Sequence, residues 1–157
     1  MQSQKIRGMG LQIGDKAPAI LGKNQHGNEI KLADYAGKKI VLYFYPKDNT
    51  SGCTQEACDF RDNFNRLTGK ATVVGVSPDS IESHKKFQTK NELNFTLLSD
   101  PEHTLAEKFG VWQEKSMYGK KYMGIVRSTF IIKSGEIDKS WSKVKVKGHV
   151  DEVIESL

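Results

Sequence analysis

A chain of 157 residues with 37% hydrophobic and 27% charged side chains is long enough for one packed core and too apolar for a disordered segment. Two cysteines are too few for the disulfide scaffold of a small secreted module, and no stretch approaches the ~20 apolar residues of a membrane-spanning helix. The net charge of +5 is concentrated between Glu114 and Lys147, where nine Lys or Arg accompany three acidic residues; without a nucleic-acid motif or interleaved stacking aromatics, this predicts a basic surface for an acidic protein partner.

Met1 to Gly10 lacks the apolar block of a signal peptide and reads as a leader or frayed end of a cytoplasmic protein, leaving residues 11–157 as a single domain. From Leu11 to Lys39 the pattern is short and turn-rich, with a hairpin-like His26-Gly27-Asn28, and predicts a small strand pair. Ile40 to Tyr45 is an unbroken apolar run, the pattern of a strand buried on both faces. Pro46 ends it. After a polar turn, Cys53, Ala57, Phe60, Phe64 and Leu67 recur at spacings of four, three, four and three, the stripe of an amphipathic helix that Gly69 stops.

Cys53 therefore falls in the first turn of a helix that follows a core strand. The first backbone N–H groups of a helix lack internal acceptors and, with the aligned peptide dipoles, favour negative charge beside them. A free cysteine with a pKa of about 8.5 is only ~3% thiolate at pH 7, whereas a helix N-terminus near a cation can bring the pKa to roughly 6 or below. Cys53 is a candidate nucleophile on this ground; a small buried residue at a helix start is the competing reading. Cys58 lies five residues on, about 7.5 Å of rise and ~140° of rotation away in a regular helix. A disulfide needs Cα atoms closer than about 7 Å, so bonding the two requires the helix to unwind.

Downstream, Ala71 to Ser77 predicts a second buried strand, and Asp79 with Glu82 predicts a capping box for a helix from Ser80 to about Lys90. Phe95 to Leu98 reads as a short strand, and Pro101 opens a helix from about Glu102 to Phe109. Val111 to Met123 reads as a polar loop whose Trp112, Tyr118 and Tyr122 either pack or rim an entrance. Arg127 stands inside the otherwise apolar strand Ile125 to Ile132, where a guanidinium is costly unless paired; a functional site and a buried ion pair are both open. A hairpin through Ser134-Gly135-Glu136 leads to a strand ending near Trp141, Lys143 to Lys147 alternates as a strand with one solvated face, and Val150, Val153, Ile154 and Leu157 share one helical face. Glu56 reads as a solvated or pairing residue. None of His26, His84, His103 and His149 has metal-ligand spacing, so neither metal nor other cofactor is expected.

The segment Pro46-Lys47-Asp48-Asn49-Thr50-Ser51-Gly52-Cys53, with Cys58 five later, resembles the Pro-x-x-x-Thr-x-x-Cys active-site segment of the peroxiredoxins, and its cysteine spacing is similar to that of the PrxQ, or bacterioferritin comigratory protein, subfamily. Gly14-Asp15-Lys16-Ala17-Pro18 and Arg127-Ser128-Thr129-Phe130 extend the likeness over nearly the whole chain. The resemblance implies an α/β protein of thioredoxin-like fold, a central mixed β-sheet flanked by helices with an N-terminal β-hairpin extension. It implies a peroxidase that reduces hydrogen peroxide and organic hydroperoxides, is recycled by thioredoxin or a similar dithiol reductant, and serves antioxidant defence. Cys53 would be the peroxidatic cysteine and Cys58 the resolving one; Thr50 and Arg127 would bind peroxide and stabilise the reacting charge, and Pro46 would shield the thiolate. With both cysteines in one chain, a monomer suffices. Ser51 departs from the family's usual proline and replaces a rigid residue with a freer one. A thiol–disulfide oxidoreductase is the alternative, although such enzymes use a Cys-x-x-Cys pair that this chain lacks.

Overall fold

A computed structural model describes residues 10–157 of the protein; the expected leader, apart from Gly10, lies outside the described residues. The apolar run forms strand β3 (Lys39–Phe44), and its neighbours are β4 (Ala71–Ser77), β5 (Thr96–Ser99) and β8 (Ser128–Lys133). β3, β4 and β5 are parallel, while β8 runs antiparallel to β3. Hairpins complete both edges: β1 (Ile20–Asn24) and β2 (Glu29–Lys31) extend the sheet beside β5, and β9 (Glu136–Trp141) pairs with β8, giving the order β2-β1-β5-β4-β3-β8-β9. The N-terminal strand pair thus extends one mixed sheet, as expected.

Side chains alternate across a strand, so β3 feeds two cores. Ile40, Leu42 and Phe44 face a cluster with Phe109 and Phe130. Val41 and Tyr43, with Tyr45 just past the strand end, face a second with Cys53, Ala57, Phe60, Phe87 and Val153. The second cluster packs beneath α1 (Ser51–Asp62), α3 (Ile81–Asn91) and α5 (His149–Ser156), and the first beneath α4 (Thr104–Lys108). Tyr43 lies opposite Gly75 on β4, where a Cβ would meet the Tyr43 ring at 2.9 Å. Only glycine admits that ring.

Several expectations need correction. The cysteine helix breaks at Asn63 into α1 and a short α2 (Phe64–Leu67), so Phe64 leaves the buried stripe and is 48% exposed. The α3 cap is Ser80, whose Oγ accepts from Ser83 N at 3.1 Å; Asp79 instead accepts from the Asp48 N–H and Ser77 Oγ. α4 starts at Thr104, two residues later than Glu102, because Asp100 caps it by accepting from Leu105 N and Ala106 N.

The segment that reads as a loop forms a two-stranded hairpin, β6 (Trp112–Met117) and β7 (Lys120–Ile125), held by backbone pairing with little burial. Trp112 stacks on His103 with ring centroids 3.5 Å apart, whereas Tyr118 and Tyr122 are exposed. Arg127 is not inside a strand: it lies in the two-residue gap between β7 and β8. Lys143 to Lys147 keeps its alternation of exposure but forms no strand.

Candidate active site

α1 begins where β3 and its turn release the chain. Thr50 is the N-cap in extended conformation, its carbonyl accepting the Thr54 N–H at 2.9 Å. Cys53 is the third helical residue, so its own N–H is among those without an acceptor inside the helix. The side chain is 1% exposed and packed in the second core cluster.

Arg127 reaches this sulfur from the gap before β8, where its carbonyl accepts the Val144 N–H. One guanidinium nitrogen, Nη1, donates to Glu56 Oε1 at 2.6 Å; the other, Nη2, donates to Cys53 Sγ at 3.2 Å. Burial would lower the pKa of Arg127, but the charges of Glu56 and Cys53 and its hydrogen bonds to them carry it upward. Gly52 lies against this fork: a Cβ there would sit 3.5 Å from Nη2.

Glu56 has no solvent exposure and its Oε2 lacks a hydrogen-bond partner. Burial raises its pKa from 4.5 to about 7, with Arg127 opposing. The Tyr43 hydroxyl, likewise buried without a partner, is pushed well above its ordinary range by burial and then by the neighbouring Glu56 and Cys53. On α5, His149 Nε2 lies 2.7 Å from Thr129 Oγ1; burial lowers its pKa, Glu152 opposes and Arg127 adds to the lowering.

The other sequence candidates are near but differently engaged. Pro46 is half-buried in the turn after β3, and Thr50 is exposed with Oγ1 donating to Lys47 O at 3.2 Å, not to Cys53. Cys58 is partly exposed on α1, and both cysteines are free thiols. An open groove of about 600 Å³ runs beside the helix start, lined in part by Ser51, Gly52, Gln55, Val146 and Lys147. Among the described residues no cluster of three or more His, Cys, Asp or Glu is arranged to hold a metal, and no helix is long and apolar enough to cross a membrane.

Residues 13–140 match the AhpC/TSA family. The chain belongs to that family. It is 56% identical over 151 residues to "Peroxiredoxin Bcp" of Bacillus subtilis, covering 95% of this chain and 96% of the relative. It is 49% identical to "Putative peroxiredoxin bcp" of Coxiella burnetii, covering 93% and 98%. Among solved structures, that of a cysteine-to-serine mutant of Xylella fastidiosa PrxQ superposes with a TM-score of 0.86 at 38% identity, over 93% of this chain and 94% of that one.

The protein is thus a peroxiredoxin of the Bcp/PrxQ type, a thiol-dependent peroxidase with the thioredoxin-like fold, and the oxidoreductase alternative is not favoured. In this peroxiredoxin Cys53 and Arg127 meet directly, while the Thr50 hydroxyl stays within its own turn. Glu56, which reads in the sequence as solvated or pairing, is the buried half of the Arg127 pair. The signal that could have found it is its place three residues after Cys53, on the helix face that carries the cysteine.

Proposed function

We propose that Cys53 is the peroxidatic nucleophile, Cys58 the resolving thiol, and Arg127, Thr50 and Pro46 the groups that bind and orient the hydroperoxide. The observation that carries this reading is the guanidinium nitrogen 3.2 Å from a buried sulfur at a helix start. Arg127 is cationic at any relevant pH, and donors fixed before reaction cost no reorganisation when charge develops on the peroxide oxygens.

The Cys53 thiolate attacks the terminal peroxide oxygen. The O–O bond breaks, the leaving oxygen takes a proton as water or alcohol, and sulfur becomes a sulfenic acid. The Cys58 thiolate then attacks that sulfur, the S–O bond breaks, the departing hydroxide takes a proton from solvent and leaves as water, and a disulfide forms. Because both cysteines lie within the continuous helix α1, this second step requires residues 51–58 to unwind. A thioredoxin-like dithiol returns both thiols and lets the helix reform. Resolution needs no second subunit, which supports a monomer built on one domain over residues 11–157; two cysteines suited to reversible redox chemistry rather than a secreted disulfide scaffold support action in the cytoplasm.

Mixing reduced protein with hydrogen peroxide and counting free thiols over time tests the reading. Rapid loss of both thiols, abolished in Cys53→Ser, is expected. Loss no faster than that of free cysteine, or undiminished loss in Cys53→Ser, overturns it.

A further inference from the structure

The turn that delivers Thr50 to the helix is held from a distance by a buried cluster. Asp48, 4% exposed, accepts from Tyr45 Oη at 2.7 Å through Oδ1 and from Ser83 Oγ at 2.8 Å through Oδ2. Its Oδ2 also lies 2.8 Å from His84 Nδ1. Its backbone N–H donates to Asp79 Oδ2 at 2.6 Å. The turn is thus fixed by side chain and main chain two residues before Thr50.

His84 is fully buried on α3, and its second nitrogen, Nε2, lies 2.8 Å from Leu98 O on β5. A backbone carbonyl only accepts, and an ionised carboxylate only accepts. Burial would raise the pKa of Asp48, but the hydrogen bonds from His84, Tyr45 and Ser83 and the charge of His84 bring it below the ordinary value. Both ring nitrogens thus face oxygens that the two N–H groups of an imidazolium would satisfy. The groups facing His84 are Asp48 and Tyr45 from the segment after β3, Ser83 from its own helix, and the β5 carbonyl; Asp79 stands behind Asp48.

We propose that His84 is a positioning residue for the peroxidase site: held as an imidazolium between Asp48 and Leu98 O, it fixes the Pro46–Thr50 turn from which α1 and Cys53 are presented. The inference rests on the assignment of Cys53 and Thr50 given above. The clamp ends before α1 starts, so it also marks a fixed point from which the helix can unwind while the turn stays in place.

Charge is not what the turn needs; placement is. In Asp48→Asn the amide can accept from Tyr45 and donate to Nδ1 of a neutral His84, whose Nε2–H still donates to Leu98 O. The same geometry then survives without either charge. His84→Ala leaves Asp48 buried with no cationic partner and releases the turn, and small misplacements of a reacting group cost roughly 100-fold in rate.

Nitrogen-15 spectra of histidine-labelled, reduced protein at pH 7.5, with the His84 signals assigned by their loss in His84→Gln, read the clamp without turnover. Two protonated ring nitrogens are expected; a singly protonated ring overturns the proposal. His84→Ala is expected to slow the first oxidation of Cys53 by roughly 10- to 100-fold and to speed amide exchange over residues 46–50; oxidation at the parent rate overturns it. Asp48→Asn is expected to show a neutral His84 and an oxidation rate within about threefold of the parent, and a larger loss in this variant also overturns it, even if His84→Ala does not fold. Cys53→Ser, run alongside, reports on the nucleophile alone, so a wrong nucleophile and a wrong clamp give different patterns.

Discussion

Arg127 holds Glu56 and the Cys53 sulfur with two different nitrogens of one guanidinium, at 2.6 and 3.2 Å. The two partners are three residues apart on α1, so a single cation from the gap before β8 ties the first turns of the cysteine helix at two points. The carboxylate fixes the plane of the fork, and the fork then aims its second nitrogen at the sulfur. Unwinding α1 must break both contacts.

Lysine carries the same charge on a flexible stem without the planar fork, and cannot serve both partners in this geometry. Arg127→Lys is expected to lower the second-order rate of Cys53 oxidation about 100-fold, the scale of losing one preorganised donor. Stopped-flow fluorescence with hydrogen peroxide measures it; a loss below about threefold would show that charge alone suffices.

Glu56 gives the fold a pH dependence of unusual sign for a carboxylate in an ion pair. Burial raises its pKa from 4.5 to about 7 in the folded protein, so between these values the folded state binds the proton more tightly than the unfolded state. Its contribution is therefore fully present below about pH 4.5, is lost as pH rises towards 7, and is level above. A shift of this size corresponds to on the order of 3 kcal/mol. In urea unfolding of reduced protein, the stability difference between the parent and Glu56→Gln is expected to change by about that amount between pH 5 and pH 8, somewhat less because part of the titration lies below pH 5. A pH-independent difference contradicts the assignment.

The parts of this site that are legible in the sequence are those that local pattern determines. A six-residue apolar run ended by Pro46, then a helical stripe beginning at Cys53, fixes a strand, a turn and a thiol at a helix start. For Glu56 the sequence carries only its place on the cysteine face of the helix; its burial depends on Arg127, 71 residues away, and a glutamate in a helix is otherwise solvated. His84 is opaque for the same reason: its partners lie on the turn at Asp48 and on β5. The β6–β7 hairpin escapes a sequence reading because its pairing rests on backbone hydrogen bonds rather than an alternating apolar face. Arg127 reads as part of a strand because the apolar residues on both sides hide the break that lets its side chain turn towards α1.

Removing the second thiol separates the two chemical steps. In Cys58→Ser the first oxidation of Cys53 is expected at the parent rate, since Cys58 makes no hydrogen bond to the Arg127 fork. The sulfenic acid then has no partner within the chain, and steady-state turnover with a dithiol protein reductant is expected to fall by more than about tenfold. Unchanged turnover would assign resolution to the reductant itself.

Gly75 is set by the ring opposite it. A Cβ at this position would lie 2.9 Å from Tyr43 Cζ, and Tyr43 is fixed in turn by Phe60, whose ring centroid is 4.8 Å away, beneath the cysteine helix. Gly75→Ala is expected to destabilise the protein by about 1–3 kcal/mol, the range for overpacking a filled core. Thermal unfolding measures this, and an unchanged midpoint would show that the aromatic stack can shift freely.

Ser51 offers a way to adjust the opening of α1 without touching the chemistry. It is the first helical residue, exposed, and its N–H is one that the helix leaves without an internal acceptor. Proline is favoured at this position because its missing N–H and fixed φ suit a helix start. The residue before a proline must be extended, and Thr50 already is, at φ −82° and ψ 155°. Ser51→Pro is therefore expected to stabilise the wound helix by about 0.4–1 kcal/mol, chiefly by restricting the unwound chain. Unwinding precedes the Cys53–Cys58 bond, so disulfide formation should slow by roughly two- to fivefold while the first oxidation keeps its rate. Rapid-quench thiol counting separates the two phases. An equal slowing of both would place the effect on the peroxide site, and an unchanged second phase would show that the helix opens from elsewhere than its first turn.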